Sequence, residues 1–283
     1  MANLPPMWLC GDSKAQLVAY DSAAGTTNVQ WAWDSRSAPD LPDERRPWFN
    51  DLDDVKPVSW NGVPCVLITA SYRGGVVLLR RSDQALLFSL PVVNAHSADL
   101  SPGGWIAIAG SIGTDQLVLH EVAAGVRAEG ARSSFPLHHG HGAVYQPATG
   151  LLWTCGGSVV RVYRWTDGSC VHDRDLTLPG PEAHDLMPDP GTGDLIVTTE
   201  TGVWRLNLAS ETFTPFAPLH DTMNVKGVSI EAGSGMLAYT MWDQSVHLVA
   251  LDGGRQELKF PGWQIYKVRW DQPCQLLERL SRS

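Results

Sequence analysis

The sequence predicts an all-β fold, a six-bladed β-propeller, from three observations. A phrase recurs with a period in the low forties, its short apolar strands are separated by Gly- and Pro-bearing turns, and N-terminal strands complete the last repeat. The phrase begins at Lys56, His96, His141, His184, Lys226 and Lys267, at intervals of 40, 45, 43, 42 and 41 positions. Reading forward gives K-P-V-S-W-N-G-V-P-C-V-L-I-T-A, H-S-A-D-L-S-P-G-G-W-I-A-I-A-G, H-G-A-V-Y-Q-P-A-T-G-L-L-W-T-C-G, H-D-L-M-P-D-P-G-T-G-D-L-I-V-T-T, K-G-V-S-I-E-A-G-S-G-M-L-A-Y-T and K-V-R-W-D-Q-P. Each reads as a strand, a tight turn and a second strand. The chain holds five lysines and nine histidines, so six of fourteen fall at one register. In a propeller, equivalent residues converge on the central axis, so a His arc is expected to face a Lys arc.

In chain order, strands over 7–10, 16–20 and 29–33 come first. Residues 34–55 follow, rich in Asp and Pro with Arg45, Arg46, Trp48 and Phe49 embedded. That segment is too long for an ordinary connection and either covers one end of the channel or runs over the surface. The second blade is expected over 97–100, 105–109, 116–121 and 133–137. The last phrase, Q-I-Y-K-V-R-W-D-Q, has no second, third or fourth strand after it. The three N-terminal strands supply them, a Velcro closure that removes two open sheet edges. Residues 1–283 are thus read as a single propeller domain. The tail over 272–283 contains Q-L-L-E-R-L, a short helix on the rim.

Twenty-seven Gly and nineteen Pro suit a turn-rich β protein, and most of the twelve Trp are assigned to wedges between blades. A net charge of −9 argues against a nucleic-acid surface. The N-terminus has no basic n-region and long apolar h-region, and no apolar run approaches a membrane span, so no membrane partner and a cytoplasmic location are expected. Cys10, Cys65, Cys155, Cys170 and Cys274 are odd in number with no CxxC spacing, against a disulfide framework or zinc knuckle. Cys10 and Cys155 fall at corresponding points of second strands, as small buried apolar residues.

Three imidazoles from adjacent blades can hold a metal ion and leave positions open for water or substrate. His96, His141 and His184 are the candidate ligands of a divalent ion, with Mn, Zn, Fe or Cu all compatible. The alternatives are metal-free binding or acid-base catalysis, and hydrogen bonding to neighbouring blade backbones around a wet channel. Lys56, Lys226 and Lys267, with Arg269, are candidates for binding a small anionic molecule, because an ammonium near a channel needs a counter-charge. Crowded ammoniums lower one another's pKa, so the lysines are also catalytic candidates; a salt bridge to Asp54 or Glu200 is the structural alternative. Glu200 and Glu182 are each candidates for orienting an imidazole or for a general base, with an ordinary polar contact as the alternative. Asp99 and Asp185 lie near the same register. His138 and His139, in H-H-G-H-G, read as loop residues, with lining of the same mouth as the alternative, and His120, His172, His220 and His247 as outer-strand or connecting ones. No Walker loop, G-x-S-x-G elbow or dinucleotide fingerprint is present.

The phrases D-V-K-P-V, N-A-H-S-A-D-L-S-P-G-G, H-G-A-V-Y and V-K-G-V-S-I resemble an uncharacterised bacterial six-bladed propeller family, many of whose members carry secretion signals. The resemblance covers nearly the entire chain. A looser similarity is to oligogalacturonate lyases, seven-bladed propellers whose channel histidines hold manganese, and to the seven-bladed virginiamycin B lyase. The looser similarity implies a type of site, a channel metal held by histidines, and not a substrate; the function expected from the residues is that of a metal-dependent lyase or isomerase acting on a small anionic or uronate-like substrate. The alternative is a non-catalytic propeller that binds a ligand or protein partner on a channel face.

Overall fold

Runs such as V-L-I-T-A and W-I-A-I-A-G are too short for helices and apolar on both faces, so they form buried strands. The computed structural model, which describes residues 4–21, 24–101 and 103–275, arranges its strands in six four-stranded antiparallel sheets. The innermost strands are Leu52–Trp60 in blade 1, Ala95–Ser101 in blade 2, Gly140–Gln146 in blade 3, Ala183–Pro188 in blade 4, Gly227–Ile230 in blade 5 and Lys267–Trp270 in blade 6. Blades 1 to 5 run outward from the axis in chain order. Blade 6 pairs Lys267–Trp270 with Met7–Gly11, which is followed outward by Lys14–Asp21 and Thr26–Asp34. Cys10 lies opposite Lys267 and Met7 opposite Trp270, so the two ends of the chain close the ring as the sequence predicts.

Apolar wedges join the blades. Trp8, Cys10, Leu17 and Trp33 of blade 6 pack with Val55, Val66, Ile68 and Val77 of blade 1, and Trp8, Trp153 and Trp270 are among the largest fully buried side chains. The five cysteines are free and buried.

The segment between Thr26–Asp34 and Leu52–Trp60 does not roof the channel. Its single-turn 3-10 helix Arg46–Phe49 turns Phe49 inward against Trp33, with ring centroids 6.0 Å apart. The buried Arg45 guanidinium donates to Ser89 O and Oγ at 2.7 Å and to Val126 O at 3.0 Å, and pairs with Glu129. Apolar and cationic anchors together hold the segment on the flank of blades 1 and 2, and Asp51 at its end reaches the channel mouth. At the other terminus Gln275 Nε2 donates to Leu100 O at 2.6 Å, and the helix expected from Q-L-L-E-R-L lies outside the described residues beyond that point. Among the described residues no helix is long and apolar enough to cross a membrane.

One irregularity repeats and orients the site. In blades 1 to 4 the innermost strand enters with a register shift, between Leu52 and Asp54, Ala95 and Ser97, Gly140 and Gly142, and Ala183 and Asp185. The residues left unpaired are Asp53, His96, His141 and His184. In blades 5 and 6, Lys226 and Tyr266 hold the same place, donating their N–H at 2.8 Å to Thr240 O and Cys10 O, the residues that pair with Gly227 and Lys267. A bulge re-aims a side chain that would otherwise alternate away.

Deeper along the axis lie the residues one and three positions later, which share a face of each strand. They include Asp54, Asp185 and Lys267, then Lys56, Asp99 and Arg269, all at most 1% exposed. Arg269 reaches Asp185 through two 2.7 Å bonds and Asp54 through one of 3.0 Å; Lys267 Nζ lies 3.2 Å from Asp185 and Lys56 Nζ 3.7 Å from Asp54. Gly227 makes room for this packing, since a Cβ there would meet Lys267 Cα at 2.9 Å. Burial pushes the Asp54 and Asp185 carboxyls up, but Arg269 and then Lys267 outweigh it and hold both below the usual range. Three carboxylates and three cations therefore fill the channel below its mouth.

Removing one partner of a buried charge set strands the others. Arg269→Met is expected to lower unfolding free energy by about 3–5 kcal/mol in urea titrations, while Arg80→Ala, which breaks an exposed pair with Asp83, changes nothing measurable. Equal midpoints for the two variants would contradict the assignment of Arg269 as the hub.

Candidate functional site

Above the charge core, the entry residues of the six inner strands form a ring: Asp53, His96, His141, His184, Lys226 and Tyr266. Consecutive members touch around most of it. His96 Nδ1 lies 3.0 Å from Asp53 Oδ2, without hydrogen-bond alignment, and 3.4 Å from the Tyr266 hydroxyl. The His96 and His141 rings have centroids 4.1 Å apart, and His141 meets His184 edge-on at 5.5 Å. Lys226 Nζ lies 2.8 Å from His184 Nε2. The result is an arc of proton-exchanging groups from Tyr266 to Lys226.

The three histidines and Lys226 stand where the recurring phrase puts them. Lys56 and Lys267 do not: the ring position of blade 1 is Asp53, three residues before Lys56, and that of blade 6 is Tyr266, one before Lys267. Both lysines, with Arg269, belong to the charge core instead. Lys56 Nζ donates to Ala143 O at 2.8 Å, and Lys267 Nζ to His141 O at 3.1 Å and His96 O at 3.3 Å. Their donors are committed inside the protein, so the anion-holding and catalytic roles expected of Lys56 and Lys267, and the binding role expected of Arg269, have no access to a ligand. Glu200 is exposed in the turn after Leu195–Thr199 and acts on Lys226 through its charge.

Burial governs the ring's electrostatics. It depresses His96 to about 3, assisted by the charges of Lys267 and Lys226, and His184 to about 3, assisted by Lys226 and Lys267. It holds His141 well below its ordinary value, with neighbouring His96 adding to the effect. The imidazoles are neutral at pH 7. Burial raises the Asp53 carboxyl beside His96 well above its ordinary value, an effect the Lys267 charge opposes. Lys226 is lowered by burial, an effect Glu200 opposes.

His96, Asp53, Lys226 and Tyr266 open into a cavity of about 390 Å³. Asp12, Asp51, Ser71, Asn94 and Gln264 supply hydrogen-bonding groups to its wall, and Trp242 an aromatic face. Asp53, Tyr266 and these wall residues were not legible in the period alone. The signal that finds Tyr266 is the equivalence of Cys10 and Cys155: Cys155 pairs with Gly142, after His141, and Cys10 with Lys267, after Tyr266.

As arranged, the three imidazoles do not fit a divalent ion. His184 Nε2 is taken by the Lys226 amine, two lysine charges already bear on the cluster, and only Nε2 of His141, whose Nδ1 bonds His139 O at 2.7 Å, is left as a donor there. Among the described residues, the donor group whose atoms lie within 4.8 Å of one another is Asp115, His138 and His139, outside this ring.

Fold and ring together define a six-bladed propeller with a His, Lys and carboxyl mouth above a charge-filled channel. The chain belongs to the family of unknown function DUF6528, whose model matches residues 6–274. A comparison with curated proteins finds no match. Among solved structures, the chain is similar to one from a nidogen/laminin complex, with a TM-score of 0.64 at 14% identity over 93% of this chain and 97% of that one. It is also similar to a putative 6-phosphogluconolactonase from Bacteroides fragilis, with a TM-score of 0.55 at 14% identity over 92% and 81%. At these identities the likeness is one of fold. The likeness to oligogalacturonate lyases gains no support from the comparisons.

The neutral histidines set a pH dependence. The unfolded chain binds a proton at each imidazole near 6.5, whereas folded His96 does so only near about 3, so stability is full above 6.5 and falls as pH drops through that window. The slope is at most about 1.4 kcal/mol per pH unit for each such group. His96→Asn is therefore expected to flatten the stability curve between pH 6.5 and 5, read from urea midpoints; a curve parallel to wild type would contradict a neutral, buried His96.

Proposed function

We propose that the channel mouth binds a small hydroxyl-rich acid, uronate-like in chemistry, and moves a proton on the carbon next to its carboxylate. The observation that carries this reading is that the Asp53–His96 contact and the Lys226 amine open into one cavity. With Nδ1 turned toward Asp53 and Tyr266, His96 Nε2 is the nitrogen left to accept a proton, and a substrate carboxylate beside Lys226 raises the imidazole's basicity by offsetting one of the charges that depress it. Lys226 is the mouth's cation from the expected Lys arc, half-desolvated and hydrogen-bonded to a neutral imidazole. A substrate carboxylate supplies a counter-charge in direct contact, which Glu200 exerts only through space, and the ammonium then stabilises negative charge that spreads onto that carboxylate as the C–H bond breaks. This role replaces the metal in the lyase or isomerase chemistry expected from the sequence. The wall's Asp, Asn, Gln and Ser groups match hydroxyls, and Trp242 offers a face for the ring of a sugar.

Both β-elimination and epimerisation begin with that proton transfer. One fold relative is described as a putative 6-phosphogluconolactonase, which supports including aldonates and sugar lactones beside uronates as probes. In D2O, wild-type protein is expected to exchange the C–H next to the carboxylate of a member of such a panel, followed by NMR. His96→Asn and Lys226→Met should each slow exchange by about 10²–10⁴-fold, while His172→Ala, on an outer strand, leaves it unchanged. Binding of no panel member, or exchange that survives both substitutions, would refute the reading.

A second reading is favoured by the apolar rim. Tyr72, Val93, Ile112, Met223, Met241 and Trp242 are exposed, on loops of the same face as the mouth. A non-catalytic propeller using this face for a protein partner predicts association weakened by Tyr72→Ser or Ile112→Ser, with no proton exchange on any probe.

A further inference from the structure

The motif H-H-G-H-G contributes His141 to the ring, but His138 and His139 lie outside it. They meet Asp115, from the turn between Trp105–Gly110 and Gln116–Glu121 of blade 2, on the rim of the same face. His138 Nδ1 lies 3.1 Å from Asp115 Oδ1, and the two imidazoles stack with centroids 3.9 Å apart. Donors bound about 2.0–2.1 Å from a tetrahedral ion stand roughly 3.3 Å from one another, so this spacing is that of a pair that can share one.

Two features fix the cluster before any ion arrives. The Asp115 carboxylate accepts the His139 N–H at 2.9 Å through Oδ1 and the Gly113 N–H at 3.3 Å through Oδ2, which leaves lone pairs on an oriented acceptor. His139 Nδ1 lies 3.1 Å from Glu182 Oε2, so Nε2 is the nitrogen left for a metal. A carboxylate behind a ligating imidazole fixes its tautomer and strengthens it as a donor. The backbone supports the same point. Two residues before His96, His141, His184 and Lys226 stand Asn94, His139, Glu182 and Asn224, all with positive φ of 43–58°. Asn and His adopt this conformation readily, whereas Glu does so at a cost, and Glu182 is the residue that supports His139.

We propose that Asp115, His138 and His139 form a surface site for a borderline divalent transition ion, Zn²⁺ or its neighbours Co²⁺, Ni²⁺ and Cu²⁺, with Glu182 as a positioning residue. Two imidazoles and one carboxylate suit these ions over Ca²⁺ or Mg²⁺, which require oxygen donors. Water completes the coordination. The site is independent of the proton-transfer reading of the mouth.

The test is titration of chelator-stripped full-length protein with Zn²⁺ by calorimetry and with Co²⁺ by visible absorption. Wild type is expected to bind Zn²⁺ at this site with micromolar or tighter affinity and to give Co²⁺ ligand-field bands. His138→Ala/His139→Ala should lose that equivalent, and Asp115→Asn should weaken it at least tenfold. Glu182→Gln should weaken it about 10-fold without removing the Co²⁺ bands, a readout that a merely structural role for Glu182 would not move. His184→Ala should leave the equivalent intact. Circular dichroism confirms folding of each variant, which the exposure of His138 favours. Zn²⁺ binding unchanged in the double His variant, or weaker than millimolar in wild type, would overturn the proposal.

Discussion

The fold depends on a charge set that water cannot reach. Arg269, on the last strand of the ring, joins Asp54 of blade 1 to Asp185 of blade 4, with Lys267 on Asp185 and Lys56 on Asp54. Such a set contributes little net stability over an apolar filling, because desolvation cancels most of the attraction. It contributes specificity: the guanidinium finds both carboxylates only when the C-terminal strand has closed blade 6 in one register. A strand slipped by one residue would point Arg269 into a blade and leave Asp185 unpaired.

The same set shapes the mouth. Because its cations lie directly beneath the ring, Lys267 adds to the burial that keeps His96 and His184 neutral, and its ammonium bonds the backbone carbonyls of His96 and His141. The entry bulge then turns the neutral imidazoles toward the axis. The chain thereby builds a floor that is charged but internally balanced, and above it a ring whose imidazoles are neutral, with one amine. The cavity inherits a directional character, with hydrogen-bonding wall groups and Trp242 on the outside and proton-exchanging groups within.

Much of this is legible in the sequence. The period, the blade count and the N-terminal completion of blade 6 follow from short apolar strands at regular spacing, which local pattern records well. The convergence of His96, His141, His184 and Lys226 follows too, because four blades keep an identical offset between the entry residue and its strand. The offset differs at Lys56 and Lys267, where a residue type common to the register stands three or one places late. Composition alone attracts the eye to the lysines, while strand pairing assigns Asp53 and Tyr266. What the sequence does not record is commitment. Lys56, Lys267 and Arg269 read either as cations facing a ligand or as salt-bridge partners until Asp54 and Asp185, from blades 1 and 4, are seen to hold them. Likewise the sequence leaves the 34–55 segment either over one end of the channel or over the surface, and Phe49 and Arg45 pin it to the flank, an outcome set by tertiary partners on blades 6, 1 and 2.

The central claim is that the mouth is a ring of neutral, mutually touching imidazoles held next to a single amine. Nitrogen-15 NMR of the imidazole side chains tests it most directly, since the shifts report protonation and tautomer of each ring. The account predicts that His96, His141 and His184 remain neutral from pH 7.5 down to 5, with His141 carrying its proton on Nδ1, where it donates to His139 O. Conversion of any of the three to imidazolium with a midpoint near 6.5 would contradict it.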